Sequence, residues 1–184
     1  MLTTLIPNMG AILSPYDPTD PYPVPFDHAF VDPEDEQANE LLDFIVADDL
    51  QAICERIISH KEYEKYFYGL SAAKIKYLWA RKKSTNRATC AKPSTTVRYL
   101  TDGLDYVVTA YAMNLRNRTT WRDMEAIMFH ELLHTGWDSE KGKFTLRKHD
   151  RELFVAEFRE YGAWDSSLQA IAYEVRQLPI EGMG

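Results

Sequence analysis

Residues 130 to 134 read His-Glu-Leu-Leu-His, and three of them have types and a spacing that could do chemistry. His130 and His134 are four residues apart, about one helical turn, so a helix would project both imidazoles from one face. Two nitrogen ligands placed in this way suit a tetrahedral zinc ion. Glu131 lies one step round the helix, where it could take a proton from an activated water molecule and pass it to a leaving group. The segment therefore predicts a zinc centre with Glu131 as the catalytic base.

A catalytic zinc centre needs a third protein ligand and a fourth position open to water. His149 is the first choice, because zinc favours imidazole and the segment between His134 and His149 holds two glycines that can turn the chain back. Asp150 would cap the next helix, orient a ligand or bind the metal itself. Glu157 is the alternative third ligand if a downstream glutamate completes the set. The competing interpretation is that the histidines only pack on a core helix.

A helix over residues 120–135 would position the two histidines. Thr120 and Asp123 resemble a capping box at its start, Gly136 suits the position after its end, and apolar residues define a buried side at Met124, Ile127 and Met128. Two further helices are predicted over residues 150–161 and 163–176, the first followed by Gly162.

The remaining pattern predicts an α+β domain, with a small antiparallel sheet packed against the active-site helix and further helices. Residues 88–100 and 105–113 have the character of strands, separated by the turn signal Thr101-Asp102-Gly103. Residues 75–79 fit an edge strand or the end of a short helix. Apolar residues recur at helical spacing between residues 36 and 58, which predicts one helix, or two that break near Asp48 and Asp49.

Residues 1–36 differ from the rest in composition, because seven of the nine prolines lie between Pro7 and Pro33. Such a stretch cannot hold a helix or pair as a central strand, so it is predicted to be an extended or disordered acidic arm. Its aromatic residues would also allow it to pack on the domain or on a partner. The expected organisation is this arm, a domain over residues 37–178 and a tail over residues 179–184.

Charge and cysteine usage limit the function classes. No apolar run is long enough to cross a membrane, and the N-terminus lacks the basic region of a signal peptide, so a cytoplasmic location is expected. Cys54 and Cys90 lack CxxC spacing, which favours free thiols over a disulfide framework or a thiolate zinc site.

The net charge of −7 disfavours general nucleic-acid binding. A local basic stretch interleaved with aromatic residues leaves a nucleic-acid groove as a weaker hypothesis: Lys74, Lys76, Arg81, Lys82, Lys83, Arg87, Lys92 and Arg98.

The motifs together resemble the putative phage metallopeptidases, a group of small zincin-like proteins. The similarity runs over about residues 50 to 165 and consists of Asp105-Tyr106-Val107-Val108, the HELLH segment, His149-Asp150, Phe154 and Tyr161-Gly162. SprT-type metallopeptidases are a more distant likeness. The resemblance implies a minimal zincin-like fold, zinc bound by His130, His134 and His149, and a catalytic Glu131. The Pro-rich arm matches neither group.

Three functions follow as hypotheses. The leading one is zinc-activated hydrolysis of a peptide bond in a peptide or protein substrate, with no membrane partner. The second is a binding module that holds metal but acts by docking on a host or virion protein through the acidic arm. The third is a protease associated with DNA through the basic stretch, as the SprT likeness suggests.

Overall fold

The computed structural model describes residues 13–31, 41–116, 119–149, 155–164 and 169. The chain forms two compact units. The larger unit comprises residues 12–148, and the smaller one comprises residues 1–11 together with residues 149–184.

The larger unit is an α+β structure built on two sheets. Its strands are β1 (Phe44–Val46), β2 (Ile75–Ala80), β3 (Ala88–Ala91), β4 (Tyr106–Tyr111), β5 (Thr135–Asp138) and β6 (Lys143–Leu146). Its α-helices are α1 (Asp48–Ser59), α2 (Glu64–Phe67), α3 (Thr95–Leu100), α4 (Ala112–Leu115) and α5 (Trp121–Leu133). Short 3₁₀ turns occupy Asp27–Ala29, Lys61–Tyr63 and Leu70–Ala72.

The main sheet has four strands in the order β1-β2-β4-β3. The α+β class is confirmed, but the expectation of an antiparallel sheet is wrong, because β2 and β4 run parallel, from Ile75 opposite Tyr106 to Ala80 opposite Tyr111. The chain makes β3 and α3 between these two strands, which gives it the crossover that a parallel pair needs. Because β2 lies between β1 and β4, it is an interior strand and not an edge strand.

The helix α5 is almost entirely buried and packs against α1 and β3. The predicted buried side at Met124, Ile127 and Met128 is confirmed, and Phe129 and Leu132 are buried as well. A helix that is apolar on most of its circumference belongs inside the core. The core thus holds the element on which His130 and His134 lie.

Two predicted elements differ from the structure. The strand expected over residues 88–100 ends at Ala91, and α3 follows, with the Ser94 side chain accepting a hydrogen bond from the Val97 amide. Serine at an N-cap satisfies an amide that the helix itself leaves free, so this local signal prevails over β-propensity. The predicted turn at Asp102 and Gly103 exists, with φ of 52° and 87°, but it closes α3 and does not form a hairpin.

The helix predicted between residues 36 and 58 begins only at Asp48. Phe44–Val46 instead form β1, pairing with Ala80–Leu78 of β2. This tertiary pairing outweighs the helical spacing of the apolar residues, which is a weak signal over so short a stretch. Residues 32–40 lie outside the described part of the chain.

Residues 13–31 of the Pro-rich arm pack on the larger unit. Phe30, Tyr22 and Val24 are buried. Tyr16 stacks on Trp121 with the ring centroids 4.0 Å apart, and the Tyr22 hydroxyl donates to Asp49 at 2.7 Å. Burial and the neighbouring Asp49 carboxylate raise the pKa of Tyr22, so its hydroxyl keeps its proton. The domain boundary at residue 36 stays a prediction.

The smaller unit contributes α6 (Val155–Tyr161) to the described residues. Gly162 has a φ of 68°, and its amide donates to the Phe158 carbonyl, which confirms the predicted glycine after a helix end. Most of the helix predicted over residues 163–176 lies outside the described part. Across the described residues, no helix combines the length and the apolar character that a membrane span requires.

Candidate metal centre

The site begins with the capped start of α5. The Thr120 side chain accepts from the Asp123 amide, and the Asp123 carboxylate accepts from the Thr120 amide at 3.0 Å, so the predicted capping box is confirmed. The arm completes the cap, because the amides of Trp121 and Arg122 donate to the carbonyls of Asp20 and Pro18. The first amides of a helix have no partner inside it, and here they are satisfied by the arm and the cap residue.

The other end of α5 carries the two predicted metal ligands. The helix ends at Leu133, and His134 is its C-cap residue. The rings of His130 and His134 have their centroids 5.2 Å apart at an interplanar angle of 76°. The helical spacing therefore places the two imidazoles side by side, as the sequence predicts.

His149 completes a group of potential ligands. One nitrogen atom from each of His130, His134 and His149 can be chosen so that all three lie within 4.8 Å of one another. Zinc–nitrogen bonds are about 2.0–2.1 Å long, so ligand atoms this close can converge on one ion after small side-chain rotations. The three histidines could therefore hold a metal ion, and three neutral imidazoles are a donor set that zinc accepts.

A hydrogen bond fixes the protonation of His134. Its Nδ1 lies 3.0 Å from the carbonyl oxygen of Arg147. A carbonyl can only accept, so Nδ1 must carry the proton and Nε2 keeps the lone pair that a metal would use. The Arg147 amide in turn donates to the His134 carbonyl at 2.7 Å. The backbone of Arg147 therefore orients this imidazole through two bonds.

The chain returns from His134 through an antiparallel hairpin of β5 and β6, in which Gly136 lies opposite Thr145. The prediction that Gly136 directly follows the helix end is wrong, because the helix ends at Leu133 and Gly136 belongs to β5. A Cβ built on Gly136 would lie 2.9 Å from Nε of Arg147 and 3.1 Å from Oγ1 of Thr145. A side chain at this position would therefore force the Arg147 and Thr145 side chains to shift.

Glu131 is buried, next in sequence to His130. Its charge and, more strongly, burial raise the pKa of the Cys90 thiol to about 12. Cys90 therefore remains a thiol at neutral pH, and Cys54, whose pKa is also raised by burial, does the same. Both cysteines are free, so no disulfide joins Cys54 and Cys90.

Of the two alternative ligands, the structure describes Glu157. Asp150 is not among the described residues. Glu157 is buried in α6 and accepts a hydrogen bond from the Trp164 indole at 3.0 Å. It is not in the group of three histidines, the one cluster of potential ligands found in the described parts of the chain.

Two residues important for the geometry were not singled out by their chemistry in the sequence. Arg147 acts through backbone atoms, which leave no trace in side-chain types. Tyr106 is fully buried in β4, and its hydroxyl contacts the backbone of Gly136 and Thr145. The sequence offers one signal for Tyr106, which is a tyrosine within a buried strand. Its hydroxyl must find a hydrogen-bond partner there.

Asp105, a residue of the family motif, forms hydrogen bonds that connect neighbouring elements of the fold. Its carboxylate accepts from the Lys74 amide at 3.1 Å and from the Arg98 guanidinium at 3.0 Å. These bonds connect the start of β2 with α3 at the beginning of β4. Asp105 thus helps to place the strand that carries Tyr106.

Comparison with known proteins identifies the family. No curated protein and no solved structure matches the chain. The sequence model described as putative phage metallopeptidase matches residues 42–176. This span includes all three histidines and Glu131, and it confirms the resemblance found in the motifs. The chain belongs to the putative phage metallopeptidase family.

Proposed function

We propose that this protein is a zinc-dependent metallopeptidase in which His130, His134 and His149 hold the metal and Glu131 is the general base. The observation that carries the proposal is the convergence of three imidazole nitrogens within 4.8 Å beside a buried glutamate. Membership of a metallopeptidase family supports a protease in general. The substrate class is a peptide or protein whose identity the site does not specify.

The three imidazoles suit zinc in type and number, and His130, His134 and His149 would hold it. A bound zinc ion supplies Lewis acidity, which makes water a nucleophile at neutral pH and polarises a carbonyl group. Glu131 accepts the proton of the attacking water and then donates it to the leaving amine. The Arg147 carbonyl accepts the Nδ1 proton of His134, which orients the ring and leaves Nε2 as the nitrogen that would bind the metal.

Two substitutions separate metal binding from catalysis. Replacing His130 by alanine removes one of three ligands, and we expect zinc content to fall from about one ion per chain to near zero. Replacing Glu131 by glutamine keeps the ligands and removes the base, so zinc is retained while peptidase activity falls by at least about 100-fold. Metal analysis of dialysed protein and hydrolysis of a denatured casein substrate measure the two effects.

The matched control is His28→Ala, because His28 is exposed and lies outside the histidine group. It should keep both zinc and activity. Full zinc occupancy in the His130→Ala protein would contradict the ligand assignment, whereas full activity in the Glu131→Gln protein would contradict the role of Glu131.

The nucleic-acid hypothesis stays a prediction with reduced support. Lys74 and Arg98 pair with Asp102 and Asp105, each at 3.0 Å. The Lys92 ammonium donates to the Phe144 carbonyl at 2.5 Å. Part of the basic stretch is therefore engaged by the chain itself, which lowers the charge it offers to phosphates.

The docking hypothesis also stays a prediction. Residues 13–31 of the arm bury Tyr22, Val24 and Phe30 within the larger unit. These side chains contribute to the chain's own core and are not presented to another protein. A truncation of the whole arm would remove them too, so exposed arm residues are the better choice for testing partner capture.

A further inference from the structure

The Tyr106 hydroxyl forms a junction between the main sheet and the hairpin that leads from His134. We propose that Tyr106 is a positioning residue for the metal centre: its hydroxyl fixes the register of β5 against β6 and thereby sets the affinity of the site for zinc. This inference rests on the proposed function, since it concerns the same histidines.

The hydroxyl meets both strands of the hairpin at one pair of opposite residues. Its oxygen lies 2.6 Å from the Thr145 carbonyl oxygen and 3.0 Å from that of Gly136, and it accepts the Gly136 amide at 3.2 Å. A hydroxyl has one proton, so the shorter contact identifies the Thr145 carbonyl as its main acceptor. One side chain from β4 therefore binds β5 through an amide and β6 through a carbonyl.

This pair lies two residues from the bond that orients His134. In the observed register, Gly136 lies opposite Thr145, and Thr135 lies opposite Leu146. Beyond this pair, the Arg147 amide donates a hydrogen bond to the His134 carbonyl. Backbone carbonyls alternate in direction along a strand, so a slip of one residue would turn the Arg147 carbonyl away from His134 Nδ1. The imidazole would then lose the acceptor that fixes its proton.

The ring of Tyr106 has a separate role from its hydroxyl. The ring packs edge-on against Phe144, with the centroids 5.9 Å apart, and is fully buried. Phenylalanine would keep this packing and remove only the hydroxyl. The substitution Tyr106→Phe therefore isolates the hydrogen bonds from the hydrophobic contact.

Tyr77→Phe is the matched control. Tyr77 is also buried, on the neighbouring strand β2, opposite Val108 in the register, and its hydroxyl is hydrogen-bonded to Cys54. Among the described residues, its hydrogen-bond partner is Cys54 and not a residue of the hairpin. Both substitutions remove one buried, hydrogen-bonded hydroxyl, so a general loss of stability should affect the two proteins alike.

The experiment measures zinc dissociation constants by competition with a chromophoric chelator, on proteins whose folding is verified by circular dichroism. Loss of groups that orient a metal ligand weakens metal binding by about 10- to 100-fold, and we expect a change of this size for Tyr106→Phe. Tyr77→Phe should stay within about two-fold of the parent. Equal zinc affinity in Tyr106→Phe and the parent, or an equal loss in both variants, would overturn the proposal.

Amide hydrogen exchange without metal gives a second readout that does not depend on zinc. Tyr106→Phe should accelerate exchange at Gly136 and Arg147, and Tyr77→Phe should not. If the parent protein itself bound no zinc, the proposed function would fail, and the exchange rates would still test the register. Unchanged exchange at both amides in Tyr106→Phe would overturn the inference by itself.

Discussion

The two ends of α5 are held in different ways. At the start of the helix, the arm supplies carbonyls, aromatic rings and the amides of Leu13 and Ser14, which donate to the buried Glu125 carboxylate at 3.0–3.1 Å. At the end, the Arg147 backbone and the Tyr106 hydroxyl form hydrogen bonds that hold the chain around the histidines. The arm buries large aromatic side chains, whereas the bonds of Arg147 and Tyr106 hold the chain around a candidate metal ligand, so we expect the arm to control stability and these bonds to control metal binding.

The largest effect should come from the arm. Phe30 is fully buried, and its replacement by alanine removes a large core side chain, which costs about 3–5 kcal/mol in the free energy of unfolding. Denaturant unfolding measures this loss, and zinc affinity is measured below the transition. Phe26→Ala is the control, because Phe26 is half exposed. A weaker zinc affinity in folded Phe30→Ala would show that the packing of the arm and the metal centre are coupled.

An intermediate effect is expected at the hairpin. A methyl group at Gly136 would press on Arg147 and Thr145, and crowding of this kind costs about 1–3 kcal/mol. Because Arg147 also orients His134, Gly136→Ala should weaken zinc binding as well as stability. Gly142→Ala is the control. Gly142 has a φ of 56°, and a Cβ built on it would have no atom within 4 Å, so this substitution causes backbone strain without crowding. If both variants bound zinc equally, crowding at Gly136 would not reach the metal ligands.

The smallest effect is predicted for the cap. Thr120→Ala removes the acceptor of the Asp123 amide, which costs about 1 kcal/mol of stability. The metal end of the helix lies three turns away, so the zinc dissociation constant should not change. Thermal unfolding and chelator competition measure the two quantities. Thr120→Ser, which keeps the hydroxyl, should recover most of the stability.

Local signals in the sequence predicted the helix of the site well. The capping box of Thr120 and Asp123 and the pair of histidines four residues apart each lie within about one helical turn. Over so short a distance, the helix itself determines which side chains are neighbours. The crossover that makes β2 and β4 parallel depends on pairing between residues about thirty positions apart, such as Ile75 and Tyr106, and no local pattern encodes it. The helix at Thr95–Leu100 had a local signal in Ser94, but the β-branched residues that follow it favoured a strand.

The contacts of the site's surroundings were harder to predict for a different reason. The bond from Arg147 to His134 uses a backbone carbonyl, and any residue at position 147 would offer the same atom. Gly136 was recognised as a glycine needed for structure, but its actual neighbour, the Arg147 side chain, becomes apparent only once the hairpin is formed. Side-chain identity thus predicted the group of three histidines that the structure brings together, whereas their orientation depended on the fold.

The bond from Leu13 to Glu125 joins positions 112 residues apart in the chain. During synthesis Leu13 is translated before Glu125, and chain elongation proceeds at about 5–20 residues per second. The arm can therefore form this bond only after the start of α5 has been synthesised. Closing so long a loop is entropically costly, so this contact forms after the local helices and turns. The histidines of the site are translated after the start of α5, so the metal centre can form only once residue 149 has been synthesised.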